Sequence, residues 1–298
     1  MRYVVAGGTS STGNAVIKRL ADKVGPENIS CIVRAKSEKS FLKSLRLDLH
    51  PGDVSEPETF KSILSPSVIY LDMTHPKHYH KSLEAVVSSG VERAYFVTTT
   101  GIFSEYRQCA DIYILNEERI RKSGIIYTIL RPSMIYGSLK DKNMHKLILV
   151  LDRFPVFPVF GRGANLMQPV HTEDLADGIV AAIDNQCTEG QEYNLAGPEA
   201  ISYREIIDSI TGKLGRNVLK INLNATLAYW LVRALQWIPC FPINDEQVLR
   251  LKEDKVFDIS SAVTDLNFSP RSFEEGIVQE IEEMYFAGLL SHKSHVKS

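Results

Sequence analysis

The sequence has few cysteines and no two of them close together: Cys31, Cys109, Cys187 and Cys240 are spread along 298 residues. That spacing excludes a CxxC pair and a dense secreted disulfide framework, and it leads one to expect reduced thiols in a cytoplasm. An excess of one charge is also lacking. Lys and Arg total 34 against 36 Asp and Glu, a formal net charge of -2, so no global field gathers a polyanion, and nucleic acid and acidic membranes drop out as partners. The most apolar stretch, Ala225 to Ile243, is interrupted by Arg233 and broken by Pro239 and Pro242, which is short of a membrane span. It reads as a buried amphipathic helix or a cover over a substrate. No secretory leader is expected, because Met1 to Ala6 run straight into a glycine turn, and no repeat or low-complexity tract occurs.

What is present is the alternation of an α/β protein. The runs Tyr3–Ala6, Ile29–Val33, Leu45–Leu49, Val68–Leu71, Ala94–Thr98 and Ile125–Leu130 read as strands, with longer helical patterns between them. Parallel return needs long crossovers, so this order predicts a doubly wound parallel sheet with helices on both faces. The expected division is a Rossmann domain over 1–138 and a smaller, mainly helical substrate region over 139–298, with 169–196 returning to the first sheet. Phe154 to Gly163, rich in Pro, Gly and aromatics, reads as an irregular connector. Thr172-Glu173-Asp174 opens a helix, the Thr172 hydroxyl being placed to cap it. Glu192–Leu195 and Val218–Ile221 are further strands, and Ser291 to Ser298 a frayed tail.

Gly7-Gly8-Thr9-Ser10-Ser11-Thr12-Gly13 follows the first strand and opens a helix. Gly7 permits the sharp turn, Gly13 lets the helix approach the sheet, and the amides of Ser11 and Thr12 can face a pyrophosphate at the helix N-terminus. Ser10 replaces the middle glycine, and a glycine-rich turn without nucleotide is the bland alternative. The second strand ends at Arg34, roughly twenty residues after Gly13, where an NAD-selective site carries an acid. Arg34 and Lys36, with Lys39 and Ser37, suit a 2′-phosphate instead, which favours NADP over NAD. A solvated basic loop would look the same. Asp53-Val54 follows the third strand and could accept from an adenine amino group, or serve only in a Pro51-Gly52-Asp53 turn.

At this point the chain resembles the extended and atypical short-chain dehydrogenase/reductase superfamily of NAD(P)-dependent sugar-nucleotide epimerases, dehydratases and reductases. The segments that carry the resemblance are the glycine turn, Gly52-Asp53-Val54, Val97 to Thr100, Thr128 to Pro132, Tyr136-Gly137, Gln168 to Ala176, Tyr193 to Pro198 and Phe268 to Arg271. It implies that Thr100, with Thr99 beside it, binds the reacting oxygen, and that Thr98, Leu71, Thr74 and Pro132 join Thr9 in the cofactor site. It also implies a substrate pocket drawn from Tyr136, Asn143, His145 and Gln168, to which Tyr106 is added as a nearby phenol. For Thr98 to Thr100 the alternative is an ordinary β-branched strand end.

The superfamily's Tyr-x-x-x-Lys is missing, and the matching register puts Cys109 and Tyr113 there. If helical, Tyr106, Cys109, Tyr113 and Glu117 share one stripe facing cofactor or core. Tyr113 could still donate a proton, though Glu117 in place of Lys makes it a poorer acid-base group. His75, with His78 and His80, lies on the expected rim. His75 suits proton transfer, while the spacing argues against a metal, and solvated rim histidines are the alternative. Trp230 and Trp237 share a helical face and read as core or subunit contact. The function expected is an NAD(P)H-dependent oxidoreductase or epimerase/dehydratase-like enzyme acting on a nucleotide-linked sugar or related carbonyl compound. The alternative is a non-catalytic NADP(H)-binding regulatory or accessory protein, resembling the nitrogen-metabolite-repression regulators or the reductase-like accessory subunit of respiratory complex I. Expected partners are a small-molecule substrate and, as an open alternative, a second copy of the chain in a homodimer.

Overall fold

The structure, a computed structural model, describes residues 1–106, 110–141, 143–224 and 253–291. Cys109, the stretch Ala225 to Ile243 with Trp230, Trp237 and Cys240, and the tail beyond Ser291 lie outside the described residues. Strands β1 (Arg2–Ala6), β2 (Ile29–Val33), β3 (Asp48–Pro51), β4 (Val68–Asp72), β5 (Arg93–Val97) and β6 (Ile126–Pro132) alternate with helices. These helices are α1 (Ser11–Val24), α2 (Ser40–Ser44), α3 (Tyr79–Ser88) and α4 (Ala110–Arg121). The chain continues through β7 (Ile135–Tyr136), α5 (Met144–Arg153), β8 (Val156–Phe160), β9 (Leu166–Met167), β10 (Val170–His171), α6 (Thr172–Asp184) and β11 (Gln191–Leu195). It ends with β12 (Ile201–Ser202), α7 (Tyr203–Lys213), β13 (Leu219–Leu223), α8 (Ser260–Leu266) and α9 (Phe273–Phe286).

Seven strands form one sheet in the order β11-β6-β5-β4-β1-β2-β3, every neighbouring pair parallel. The fold is therefore the doubly wound α/β plan. Strands β2 and β4 are buried along their whole length, as their mainly apolar runs require when helices cover both faces. On one face Val5, Ile69 and Leu71 pack against Ile17 and Leu20 of α1 and Ile179 of α6. On the other, Val4, Tyr70 and Phe96 meet Leu83 and Val86 of α3 and Ile120 of α4. A third core, with Tyr136, Ile148, Ile206, Ile210 and Ile277, holds the C-terminal helices together. Capping boxes at Ser202 with Glu205 and at Ser272 with Glu275 start α7 and α9. The direction of strand addition reverses between β1 and β4, and a crevice opens beyond the strand C-termini there.

Several local expectations are corrected. The run Leu45–Leu49 does not become a strand as a unit, because Leu45 caps α2 and Arg46 turns the chain at φ 58°, so extension starts at Asp48. Phe154 to Gly163 contains the strand β8, paired in parallel with β13. A two-stranded ribbon has only edges, so Pro158 costs it no central ladder bond. Thr172 does not cap α6. The His171 ring accepts from the Glu173 amide, while the Thr172 hydroxyl donates to the Tyr136 carbonyl at 2.8 Å. Ser291, expected in the frayed tail, donates its amide to Asp152 at 2.9 Å. No helix among the described residues is long and apolar enough to cross a membrane.

Candidate active-site cleft

The turn after β1 sets up the site. Gly7 has φ +84°, and a Cβ there would lie 2.6 Å from the Met73 carbonyl carbon, so only glycine lets the turn pass this close to the end of β4. Gly13 faces back onto the strand end, where a Cβ would come within 2.3 Å of the Gly7 oxygen. Ser10 caps α1, its Oγ accepting from the Gly13 amide at 2.9 Å and donating to the Gly7 carbonyl at 3.0 Å. The Ser11 and Thr12 amides belong to the first helical turn and have no carbonyl inside the helix to bond. Both residues line a cleft of about 1020 Å³, with Thr9 half-buried beside them. A tight turn with outward amides at a helix start fits the diphosphate of a dinucleotide.

The cleft runs along the sheet rim from Ser10–Thr12 to Thr99–Gly101, Met134 and Asn143, and its far wall is the strap Glu253–Asp258. Ser138 links the two ends of this rim by donating to the Ser11 hydroxyl at 2.8 Å. Ionised groups on the lining are mostly acidic among the described residues: Glu105, Asp141, Glu253, Asp254 and Asp258 against Lys140 and Lys255. Several of the acids hold backbone amides. Asp141 accepts from Asn143, Met144 and His145 at the start of α5, and Asp254 accepts from Leu166.

The three threonines divide. Thr98 donates to Glu117 at 2.7 Å and is buried, so its hydroxyl does not serve a cofactor. Thr100 lines the cleft, and its hydroxyl donates to the Pro132 carbonyl at 3.2 Å. Thr99 lines the cleft and its hydroxyl accepts from the Gly101 amide at 3.0 Å.

Tyr113 and His75 are brought together, phenol oxygen to Nε2 at 3.4 Å and ring centroids 5.8 Å apart, but neither lines the cleft. Among the described residues, Tyr106 is the tyrosine that lines the cleft. Glu117 lies one turn beyond Tyr113 on α4. It turns to Arg131, with Oε1 and Oε2 at 3.0 and 3.1 Å from Nε, and also receives Thr98 and Arg121.

Two expected substrate contacts belong to the scaffold. Tyr136 is in the third core, against His171 and Phe273, where burial raises its phenol pKa. Gln168 touches the cleft, yet both ends of its amide are spent, on the Gly197 carbonyl at 2.7 Å and the Phe257 amide at 2.8 Å. Asn143 lines the cleft and is exposed.

Around the cofactor half, the Leu71 and Val54 side chains are buried in the sheet's cores and the Pro132 carbonyl accepts from Thr100. Thr74 is ordered by the buried Asp72, which accepts its amide at 3.0 Å and its hydroxyl at 2.6 Å. Burial pushes the Asp72 carboxyl up. Arg34 and Lys36 are exposed just past β2. Asp53 already accepts the Ser55 amide at 2.8 Å, which, with the charge of Arg34, holds its carboxyl below the usual range.

Features that sequence reasoning missed are the Ser10 cap, the wall residues Phe103 and Ser104, and the strap. Only Ser10 had a local signal, a hydroxyl residue directly before the helix. The strap meets the rim from 149 residues away in sequence.

A family model described as NAD(P)H-binding matches residues 7–186. Among curated proteins, the chain is 25% identical over 226 residues to the NADH dehydrogenase [ubiquinone] 1 alpha subcomplex subunit 9 of Dictyostelium discoideum, the match covering 69% of this chain and 62% of that one. The chain thus spans about three fifths of that relative. It is 23% identical to an NAD(P)H azoreductase of Xenophilus azovorans, over 72% of this chain and 74% of the other. Among solved structures, an NADPH-dependent quinone oxidoreductase of Escherichia coli superposes with a TM-score of 0.75 at 20% identity, covering 95% of this chain and 99% of that one. The short-chain dehydrogenase/reductase resemblance holds at the level of the fold.

Proposed function

The chain belongs to the NAD(P)H-binding family, and from that membership we propose that it is an NADP(H)-dependent oxidoreductase of a small, phosphate-free carbonyl or quinone-type acceptor. One observation carries this reading: Ser11 and Thr12, at the helix start after the glycine turn, and Thr99, at the end of β5, line one cleft. In it Gly7, Ser10 and Gly13 shape the turn, the Ser11 and Thr12 amides hold the diphosphate, and Arg34 with Lys36 meets the 2′-phosphate. The nicotinamide, when bound, supplies the reducing equivalents. Thr99 and Tyr106 are the wall hydroxyls that orient the acceptor oxygen.

The charge of the lining supports this acceptor class. Among the described lining residues, Glu105, Asp141, Glu253, Asp254 and Asp258 outnumber Lys140 and Lys255, so a nucleotide-linked sugar would bring a further diphosphate against a like-charged stretch of the rim. Phe103, Met134, Ile135 and Phe257 offer apolar surface to a flat, uncharged molecule. The activities by which the azoreductase and the quinone oxidoreductase are known support the same class.

A second reading, a non-catalytic coenzyme-binding accessory protein, is favoured by one observation: Tyr113 and His75 pair with each other off the cleft. The respiratory-complex relative is consistent with it. Mixing the protein with NADPH and either a benzoquinone or a nucleotide-linked sugar, and following reduced-nicotinamide absorbance, separates the readings. Oxidation with the quinone alone is expected. Coenzyme binding without oxidation by any acceptor would favour the accessory role, and turnover with the sugar nucleotide would overturn the acceptor class.

A further inference from the structure

The loop between β5 and α4 carries Phe103 and Tyr106 into the cleft wall, yet Glu105 and Tyr106 are exposed and belong to no helix or strand. Its order comes from a distant carboxylate. Glu253 accepts the Ser104 hydroxyl at 3.0 and 2.8 Å, the Glu105 amide at 2.7 Å and the Tyr106 amide at 3.3 Å. The strap that bears Glu253 is itself anchored. Leu166 donates to Asp254 at 2.7 Å and accepts from the Lys255 amide at 2.8 Å. The Phe257 amide bonds Gln168 at 2.8 Å, and Asn194 donates to the Asp258 carbonyl at 3.1 Å. The Phe257 ring lies beside Phe103, centroids 6.0 Å apart.

We infer that Glu253 is a positioning residue for the acceptor: by holding three donors of Ser104–Tyr106 it fixes the wall that presents Phe103 and Tyr106, and so sets acceptor affinity without setting coenzyme affinity. The inference rests on the acceptor reading of the cleft. The coenzyme amides at Ser11 and Thr12 belong to α1 on the opposite side of the rim and owe nothing to the strap. A carboxylate that receives two amides and a hydroxyl is a strong acceptor, because charge-assisted bonds exceed neutral ones. A glutamine can keep much of the arrangement, its carbonyl taking the amides and its NH2 donating to the Ser104 oxygen.

The test compares Glu253→Gln and Glu253→Ala by hydrogen exchange over 99–106, by kcat and KM for a benzoquinone, and by calorimetry with NADPH. In E253A the amides of Glu105 and Tyr106 should exchange at least about tenfold faster, and KM should rise about tenfold. There kcat and NADPH affinity should stay within about twofold, and E253Q should recover most of both losses. Unchanged exchange in E253A would overturn the inference. E253Q as impaired as E253A would assign the effect to rim charge, and a parallel loss of NADPH affinity would assign it to general destabilisation; either also overturns it. Should E253A not fold, Glu253→Asp, which withdraws the carboxylate by one methylene, is read in the same way. Absence of turnover in the unaltered protein would sink the oxidoreductase reading, whereas exchange reports on Glu253 independently.

Discussion

Glu117 of α4 and Arg131 at the end of β6 form a buried ion pair, with Glu117 1% and Arg131 8% exposed at their side chains and the closest approach, Oε2 to Nη2, at 2.6 Å. Glu192 of β11 takes the same guanidinium from the other side, and Thr98 donates to the Glu117 carboxylate. This network fastens α4 to three adjacent strands and holds Tyr113, one turn earlier, in the core. Removing Glu117 leaves the mostly buried guanidinium with Glu192 alone, in a low-dielectric setting. Glu117→Leu should cost about 3 kcal/mol in urea unfolding, and adding Arg131→Leu should restore most of it. A single variant as stable as the parent would show that the pair does not hold the helix.

Much of the fold was legible because its signals are local. The β-branched run Ile29–Val33 is β2 to the residue, and the glycine turn stands where strand passes to helix. Periodicity also put Tyr113 and Glu117 on one face. What lay across from that face was not legible, since Arg131 is 14 residues away from Glu117 and becomes its neighbour only through sheet order. The same holds for hydroxyl direction: a run of three threonines gives no sign that Thr98 turns to α4, that Thr100 turns to β6 and that Thr99 lines the cleft. Leu45–Leu49 misled because one left-handed residue, Arg46, outweighs the β pattern around it.

From that division of the threonines comes a pair of opposite outcomes. Thr99→Ala should lower kcat/KM for a quinone about tenfold through loss of a polar contact with the acceptor. Thr100→Val should leave kcat/KM within about twofold and cost about 1 kcal/mol of stability, the worth of its bond to Pro132. Steady-state kinetics with urea titration reads both. The reverse pattern would return the substrate role to Thr100.

Glu280 of α9 is fully buried, and its carboxylate accepts the Gly137 amide at 2.8 Å. Burial pushes its carboxyl up to about 8 from an ordinary 4.5, with Asp141 and Glu283 adding in the same direction. The folded state therefore keeps a proton that the unfolded chain releases. The stabilisation this proton confers is complete below about pH 4.5, declines as pH rises, and is gone above about pH 8. Glu280→Gln does not ionise, so its stability relative to the parent should climb by a few kcal/mol across that window and then level off. Thermal or urea unfolding at several pH values measures the gap, and a gap independent of pH would contradict the buried proton.

Arg34 stands exposed past β2 where a 2′-phosphate would lie. Arg34→Ala should weaken NADPH about tenfold or more and change NADH within about twofold, the difference being one charge-assisted contact. Equal losses for both coenzymes, read by calorimetry, would remove Arg34 from the phosphate site.

The most direct measurement concerns the amide of Ser11. Ser10 precedes it with φ -75° and ψ 166°, an extended conformation that a following proline accepts, and the first helical position tolerates proline well. Ser11→Pro thus deletes one outward donor and keeps α1 intact, while Ser11→Ala controls for the hydroxyl that meets Ser138. Calorimetric titration with NADPH should give saturable binding for the parent protein and Ser11→Ala, and at least about tenfold weaker binding for Ser11→Pro with unchanged helix content. No saturable heat in the parent, or full affinity in Ser11→Pro, would contradict a diphosphate held at the start of α1.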